Sequence, residues 1–403
     1  MHLIHSFPIN SELNKMKKNN ISFVVKNNLC AKCGICYSIC PENAIEIIGE
    51  IDKVPTVNER CNSCKLCINA CPGLKPIVNL EEDSPLGNYK SCYIGYSSDE
   101  NIRYTSSSGG IITSLNISLL NEFYFDGIIC IRQSKKNIYD NEVILASTKE
   151  DIITAQGSRY APAYVCRSLK DLPIKKGGKY AFVGKPCDIQ ALIKYQRYNK
   201  NFNFFKIAIF CAHTPSMTAT REIFVCNNII DKKINKFDYR GHGWPGYFTA
   251  YSNTNEVVLQ KEYPHVWGKI LCKRKYINKR CFLCHDCTGE NADISVGDAW
   301  LDEYIGNSIG HSIVITRSEE SENIIQHNIR NKYLVLEKAE ESKVLKSQRN
   351  LLSKKNNVYI KNVICRFIME EVTEEQVIYK KSTNYIKNIP GLLKFLLLNK
   401  FKL

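Results

Sequence analysis

The 403-residue chain has no apolar run long enough to cross a bilayer. Its best stretch, around Ile207 to Ala212, falls far short of the roughly 18 uncharged residues a spanning helix needs. No integral membrane segment is expected. Nor is an export signal expected, because Met1 to Asn20 carries Lys15, Lys17 and Lys18 without an apolar core or a cleavage site of the secretory kind. The 19 cysteines are too sparse for a disulfide scaffold, and their odd number excludes complete pairing. These absences predict a cytoplasmic protein with reduced thiols, in which clustered cysteines hold metal.

Acidic residues are the minority, 40 against 55 basic ones, for a formal charge of +15. About half of the excess lies after Asn331, where 15 Lys/Arg face 7 Asp/Glu. The aromatic-and-basic interleaving of a nucleic-acid module is missing, so no nucleic-acid partner is expected and the charge reads as a solvated face. The apolar end containing Leu392, Leu393 and Phe395 to Leu398 reads as a segment that docks on the protein or a partner subunit. At this length, two or three domains are expected.

What is present is a concentration of thiols. Cys30, Cys33, Cys36 and Cys40, followed by Pro41, form a C-x2-C-x2-C-x3-C-P run, and Cys61, Cys64, Cys67 and Cys71, followed by Pro72, repeat it. Three thiolates at successive spacings of three wrap three corners of an iron-sulfur cubane, and the fourth is too far from its own loop. Zinc prefers separated C-x2-C pairs and has no use for the third cysteine. Residues 21–80 resemble bacterial two-cluster ferredoxins. In those proteins the fourth cysteine serves the other cluster, which implies Cys30, Cys33, Cys36 and Cys71 around one 4Fe-4S cluster and Cys61, Cys64, Cys67 and Cys40 around a second. A short strand is expected over Ile45 to Ile48.

After an acidic and Ser-Pro-Gly linker at Glu81 to Gly87, apolar runs bounded by turns predict buried strands. They fall at Cys92–Tyr96, Gly127–Ile131, Val143–Ala146, Tyr180–Val183, Phe205–Phe210, Asp293–Val296 and Ser312–Thr316. Helices are expected over Gly110–Leu120 and Asp188–Tyr195, giving an α/β domain. The turn Thr105-Ser106-Ser107-Ser108-Gly109-Gly110 opens the first helix and suits a phosphate, although serine caps are common. Lys185 and Cys187 should lie at the carboxyl edge of a strand, where open sheets bind ligands. Gly241 to Gly246 matches G-x-G-x-x-G but is flanked by strands at Ile234–Tyr239 and Tyr247–Tyr251, so it reads as a hairpin turn.

Five ordered elements then coincide: Ser108-Gly109-Gly110, Gly157-Ser158-Arg159-Tyr160, Gly184-Lys185-Pro186-Cys187, Phe210-Cys211, and Cys281-x2-Cys284-x-Asp286 leading to Ala292-Asp293-Ile294-Ser295. Residues 88–318 thereby resemble the beta subunit of coenzyme F420-reducing hydrogenase and its relatives. The resemblance implies an FAD-binding domain with a third 4Fe-4S cluster on Cys187, Cys211, Cys281 and Cys284, with Cys287 left over. It also implies hydride exchange with F420 and a redox partner, either ferredoxin or a hydrogenase/dehydrogenase subunit. Ser107, Ser108, Gly109 and Gly110 together with Gly157, Ser158, Arg159 and Tyr160 are expected to hold the FAD pyrophosphate and ribityl chain, and Gly184 and Lys185 to lie beside the flavin. No catalytic side chain is expected. A different reducible substrate on the same cofactors, or a non-catalytic electron-transfer subunit, stays open. The expected architecture is an α+β ferredoxin-like module (21–80), an α/β flavin-binding domain (88–318) and a basic, mainly helical C-terminal extension (319–403).

Overall fold

The computed structural model describes residues 20–77, 84–229, 233–272, 274–306 and 308–356. Near the N-terminus, the short helices Ile21–Lys26, Ile35–Ile39 and Leu66–Asn69 surround an antiparallel ribbon of β1 (Ile45–Ile48) and β2 (Val54–Val57), in which Ile45 faces Val57. The core here is part hydrocarbon and part sulfur, with Ile21, Phe23, Val24 and Leu29 packed around Cys36, Cys67 and Cys71. Ile277, Phe282 and Leu283, more than 200 residues away in sequence, complete the same core, so this module is docked on the rest of the chain.

The remainder is built on strands β3 (Ser91–Ser97), β4 (Gly127–Gln133), β5 (Asn141–Ala146), β6 (Lys179–Gly184), β7 (Asn203–Ile209), β8 (Ile234–Asp238), β9 (Tyr247–Ser252), β10 (Val257–Glu262), β11 (Ile294–Asp298), β12 (Ser312–Thr316) and β13 (Leu334–Lys338). Eight of them form one mixed sheet in the order β13-β3-β12-β11-β7-β6-β4-β5. β4, β6, β7 and β11 run parallel to one another, and the outer pairings are antiparallel. β8, β9 and β10 make a separate antiparallel sheet.

The central strands read as continuous apolar runs because both of their faces are covered. Alternate residues sort cleanly between the faces. Ile128, Ala181, Phe205 and Ile207 pack under Leu115 and Leu119 of helix Ile111–Asn121. Ile129, Phe182, Phe204 and Ala208 pack under Ile189 and Leu192 of helix Pro186–Tyr198, on the face that also receives Cys33, Ile35 and Ile39 of the N-terminal module. The strands and both helices anticipated from the sequence form within three residues of their expected limits.

After residue 318 the described residues are mainly helical, as expected, but they are not set apart from the sheet. Helices Glu319–Arg330, Glu341–Ser347 and Arg349–Asn356 are present, but β13 lies between them and pairs with β3, placing Leu334 opposite Ser97. The edge of the main sheet therefore lies beyond the expected boundary. β13 is an edge strand, in which Leu334 is buried while Val335, Glu337 and Lys338 are exposed. The apolar end around Leu392 to Leu398 and most of the basic tail lie outside the described residues.

Candidate functional site

A cavity of about 810 Å³ opens at the carboxyl edge of β6 and β7, within the size range of cofactor sites. Ser107, Ser108, Gly110, Gly157, Ser158, Arg159, Tyr160, Gly184 and Lys185 all line it. Gly109 does not. Its amide donates to Ser312 Oγ at 2.9 Å, and a Cβ there would meet Gly95 O at 2.7 Å, so this glycine seats the turn against β3 and β12.

The two turns that line the cavity are tied to each other. Ser107 Oγ accepts from Ser158 N at 2.8 Å and donates to Arg240 O at 3.1 Å. Ser108 Oγ donates to His311 O at 2.8 Å. Gln156 Nε2 donates to Ile102 O at 2.7 Å and to Ser106 Oγ at 2.7 Å. These side chains fix the scaffold of the two turns. Helix Ile111–Asn121 starts after Gly110, which has φ +77° and no side-chain cap, so the positive end of the helix is left for an anion. Arg159 lines the same cavity. Its Nε donates to Asn141 Oδ1 at 2.9 Å, its buried Nη2 has no hydrogen-bond partner, and burial pulls its pKa below the ordinary value. A buried cation beside an uncapped helix start fits a diphosphate.

Lys185 forms a 2.6 Å ion pair with Asp188, which is fully buried. Burial opposes the ammonium charge, but the Asp188 carboxylate outweighs it and holds the Lys185 pKa above the usual value. Asp188 Oδ2 also accepts from Lys185 N at 3.0 Å, closing the start of helix Pro186–Tyr198, and Oδ1 is left without a partner. Sequence reasoning missed Asp188. Its position three residues after Lys185 at a helix start was an available signal. Also missed was the wall formed by Gln348, Leu351 and Ser353, where Gln348 Nε2 donates to Asp298 O at 2.6 Å. Trp300, tilted against Trp244 at 41° with centroids 4.6 Å apart, lines the cavity as well.

The cysteines gather in three places. Cys36 lies in the electrostatic reach of Cys30, Cys33 and Cys71, with which it was expected to share a cluster, and also of Cys67 from the second set. Burial pushes the Cys36 thiol well up, Cys30 up to about 12 and Cys71 up to about 11, while a hydrogen bond with Cys166 holds Cys33 below its ordinary value. Cys40, Cys61, Cys64 and Cys67, the second set, line one small cavity together, and burial pushes Cys67 up to about 11. In the third place, burial pushes Cys187 well up, with Cys211 and Cys284 as electrostatic neighbours. Cys281 Sγ accepts from Thr214 N at 3.3 Å, three residues beyond Cys211. Asp286 shapes this loop, since its Oδ1 accepts from the amides of Thr288, Gly289 and Glu290 at 3.2, 2.7 and 3.2 Å.

No group of His, Cys, Asp and Glu among the described residues closes to the distances of a single bound metal ion. The case for clusters rests on donor chemistry. Buried thiols crowded together ionise only when a cation supplies the opposite charge, and iron in a cubane does so. Cys211 lines the large cavity, so the third site borders it directly.

Sheet, cavity and paired cysteine runs define an iron-sulfur electron-transfer protein. The chain belongs to the family of coenzyme F420 hydrogenase/dehydrogenase beta subunits, whose N-terminal model matches residues 92–170 and whose C-terminal model matches residues 177–342. A 4Fe-4S dicluster domain matches residues 29–73. The chain is 26% identical over 311 residues to a component of the F420H2 dehydrogenase of Methanosarcina mazei, covering 72% of this chain and 82% of that protein. It is 27% identical over 246 residues to the beta subunit of the coenzyme F420 hydrogenase of Methanosarcina barkeri, covering 58% of this chain and 80% of that one. A chain in the solved F420-reducing NiFe hydrogenase complex of Methanosarcina barkeri shares the fold, with a TM-score of 0.55 at 24% identity over 74% of this chain and 98% of that chain.

Proposed function

We propose that this protein is an iron-sulfur flavoprotein oxidoreductase that passes electrons between 4Fe-4S clusters and FAD and exchanges a hydride with coenzyme F420. One observation carries the reading: the cavity that begins at the uncapped helix start and Arg159 runs to Lys185 and Cys211, so an anion cradle and a thiol site share one space. FAD, when bound, handles electrons both singly and in pairs and so links one-electron clusters to a hydride acceptor.

The chain's own residues bind, orient and exclude water. Arg159 and the first amides of helix Ile111–Asn121 hold the diphosphate. Ser107, Ser108 and Gly109 brace that turn, and Gly157, Ser158 and Tyr160 form the facing loop. Lys185, fixed by Asp188, places a buried positive charge at the other end, and Gly184 leaves room for the pair, since a Cβ there would meet Asp188 Cβ at 2.9 Å. Cys30, Cys33, Cys36 and Cys71 hold one cluster, Cys40, Cys61, Cys64 and Cys67 a second, and Cys187, Cys211, Cys281 and Cys284 a third. No acid-base pair is required.

Residues 21–80 act as the electron carrier, and the sheet domain from residue 88 through β13 as the flavin unit. Cys64 is exposed, so the second cluster is where a redox partner, ferredoxin or a hydrogenase/dehydrogenase subunit, comes nearest. We place the protein in the cytoplasm, where thiols stay reduced. Among the described residues no helix is long and apolar enough to cross a membrane. The test is anaerobic: protein replete in FAD and iron is supplied with reduced ferredoxin or viologen, and F420 reduction is followed, with NAD(P)H as control. Turnover of F420 is expected, and its absence in fully loaded protein refutes the proposal.

A further inference from the structure

We infer that Lys194 and Arg280 form a cationic clamp that raises the reduction potential of the cluster held by Cys30, Cys33, Cys36 and Cys71. The inference rests on the iron-sulfur reading above and adds residues that no motif marks. Lys194 lies on helix Pro186–Tyr198 and Arg280 next to Cys281, so both belong to the sheet domain, yet both reach the ligand loop of the N-terminal module. Lys194 Nζ donates to Cys71 O at 3.2 Å and also to Lys75 O. Arg280 Nε donates to Gly73 O at 2.7 Å and Nη2 to Pro72 O at 3.4 Å. The loop between them is packed tightly on the chain at Leu29, because a Cβ on Gly73 would lie 2.0 Å from Leu29 O.

Both cations are buried, at 5% and 7% exposure, and among the described residues neither forms an ion pair with a carboxylate. Arg280 Nη1 is buried with no hydrogen-bond partner. Two unpaired buried cations are expensive unless an anion lies beside them. Neutral thiols do not supply one. A 4Fe-4S cubane on four thiolates does, carrying a net charge of about −2 when oxidised and about −3 after gaining one electron. The extra electron arrives without a proton or a leaving group, so nearby positive charge favours the reduced form directly and the potential rises.

The test is an EPR-monitored redox titration of the full-length, cluster-replete protein. Lys194→Gln keeps a donor to the carbonyls and removes the charge, and Lys194→Arg keeps the charge. In Lys194→Gln one of the cluster midpoints should move negative by about tenfold in the reduction equilibrium, ~59 mV for one electron, with the others unmoved. Lys194→Arg should titrate like the parent, and Arg280→Gln should shift the same midpoint in the same direction, which preserves the test should Lys194→Gln lose iron. An iron-replete Lys194→Gln or Arg280→Gln protein with parental midpoints overturns the clamp while leaving the clusters standing. A parent protein without any reducible cluster overturns the iron-sulfur reading itself.

Discussion

Replacing Arg159 by Met separates the cofactor's needs from those of the fold. Arg159 is half-buried with its Nη2 shielded from solvent, and its guanidinium has Asn141 Oδ1 at 2.9 Å, Phe237 O at 3.4 Å and the faces of Tyr239 and Phe237 at 4.8 and 5.2 Å from its central carbon. Asp238 acts on it only at longer range. Losing two hydrogen bonds from a charged group costs about 1.5–3 kcal/mol each, but shedding a largely buried charge with no carboxylate in contact offsets several kcal/mol, so the FAD-free protein should keep its stability to within about 2 kcal/mol. FAD binding should suffer far more, because a hydrogen bond to a charged group contributes ~1.5–3 kcal/mol, or roughly a 10- to 150-fold change in Kd. The assay is equilibrium FAD fluorescence, with denaturant unfolding of the same FAD-free samples. Arg159→Lys should fall between parent and Met. Refutation would be an Arg159→Met protein that binds FAD within about threefold of the parent, or one that loses stability and affinity in equal measure.

Asp188→Asn should destabilise the protein by about 3 kcal/mol in denaturant unfolding by leaving Lys185 charged and unpaired, and Lys185→Met/Asp188→Leu together should recover most of the loss. His311 stacks on Tyr304 with centroids 4.0 Å apart, and burial together with the Arg103 charge pulls its pKa down to about 4. The unfolded chain takes up this proton first, so the ring contributes stability above about pH 6.5 that is lost as pH falls toward 4. His311→Phe should flatten the pH dependence of unfolding in that window, and an unchanged slope would contradict the assignment. Cys284→Ser should lower iron from about twelve to about eight per chain while the ferredoxin-type signals persist; loss of all iron would mean that the third site is needed for the others to form.

The main sheet was legible because its central strands are buried on both faces, which compresses them into apolar runs such as Ile128 to Ile131. β10 and β13 were not, since edge strands carry charge, as Lys261, Glu262, Glu337 and Lys338 show. The ferredoxin-type runs were legible through local spacing, and so were the turns that meet in the cavity. What lay beyond reach were contacts between distant segments. Lys185 could be placed at a strand edge without sight of the Asp188 carboxylate that fixes it. Nothing in the local sequence marks Lys194, whose role depends on the Cys71 carbonyl more than 100 residues away. The Gln348 wall follows β13, which the apolar pattern did not reveal. Gly109 was read as a ligand contact because small residues in turns look alike, whether they face a cofactor or a neighbouring strand.

The most direct measurement is the cofactor content of the anaerobically purified, full-length protein, with FAD quantified after release and iron by metal analysis. The account predicts about one FAD and about twelve irons per chain, with FAD lost and iron kept in Arg159→Met. About twelve irons with no flavin bound, even after incubation with FAD, would contradict it.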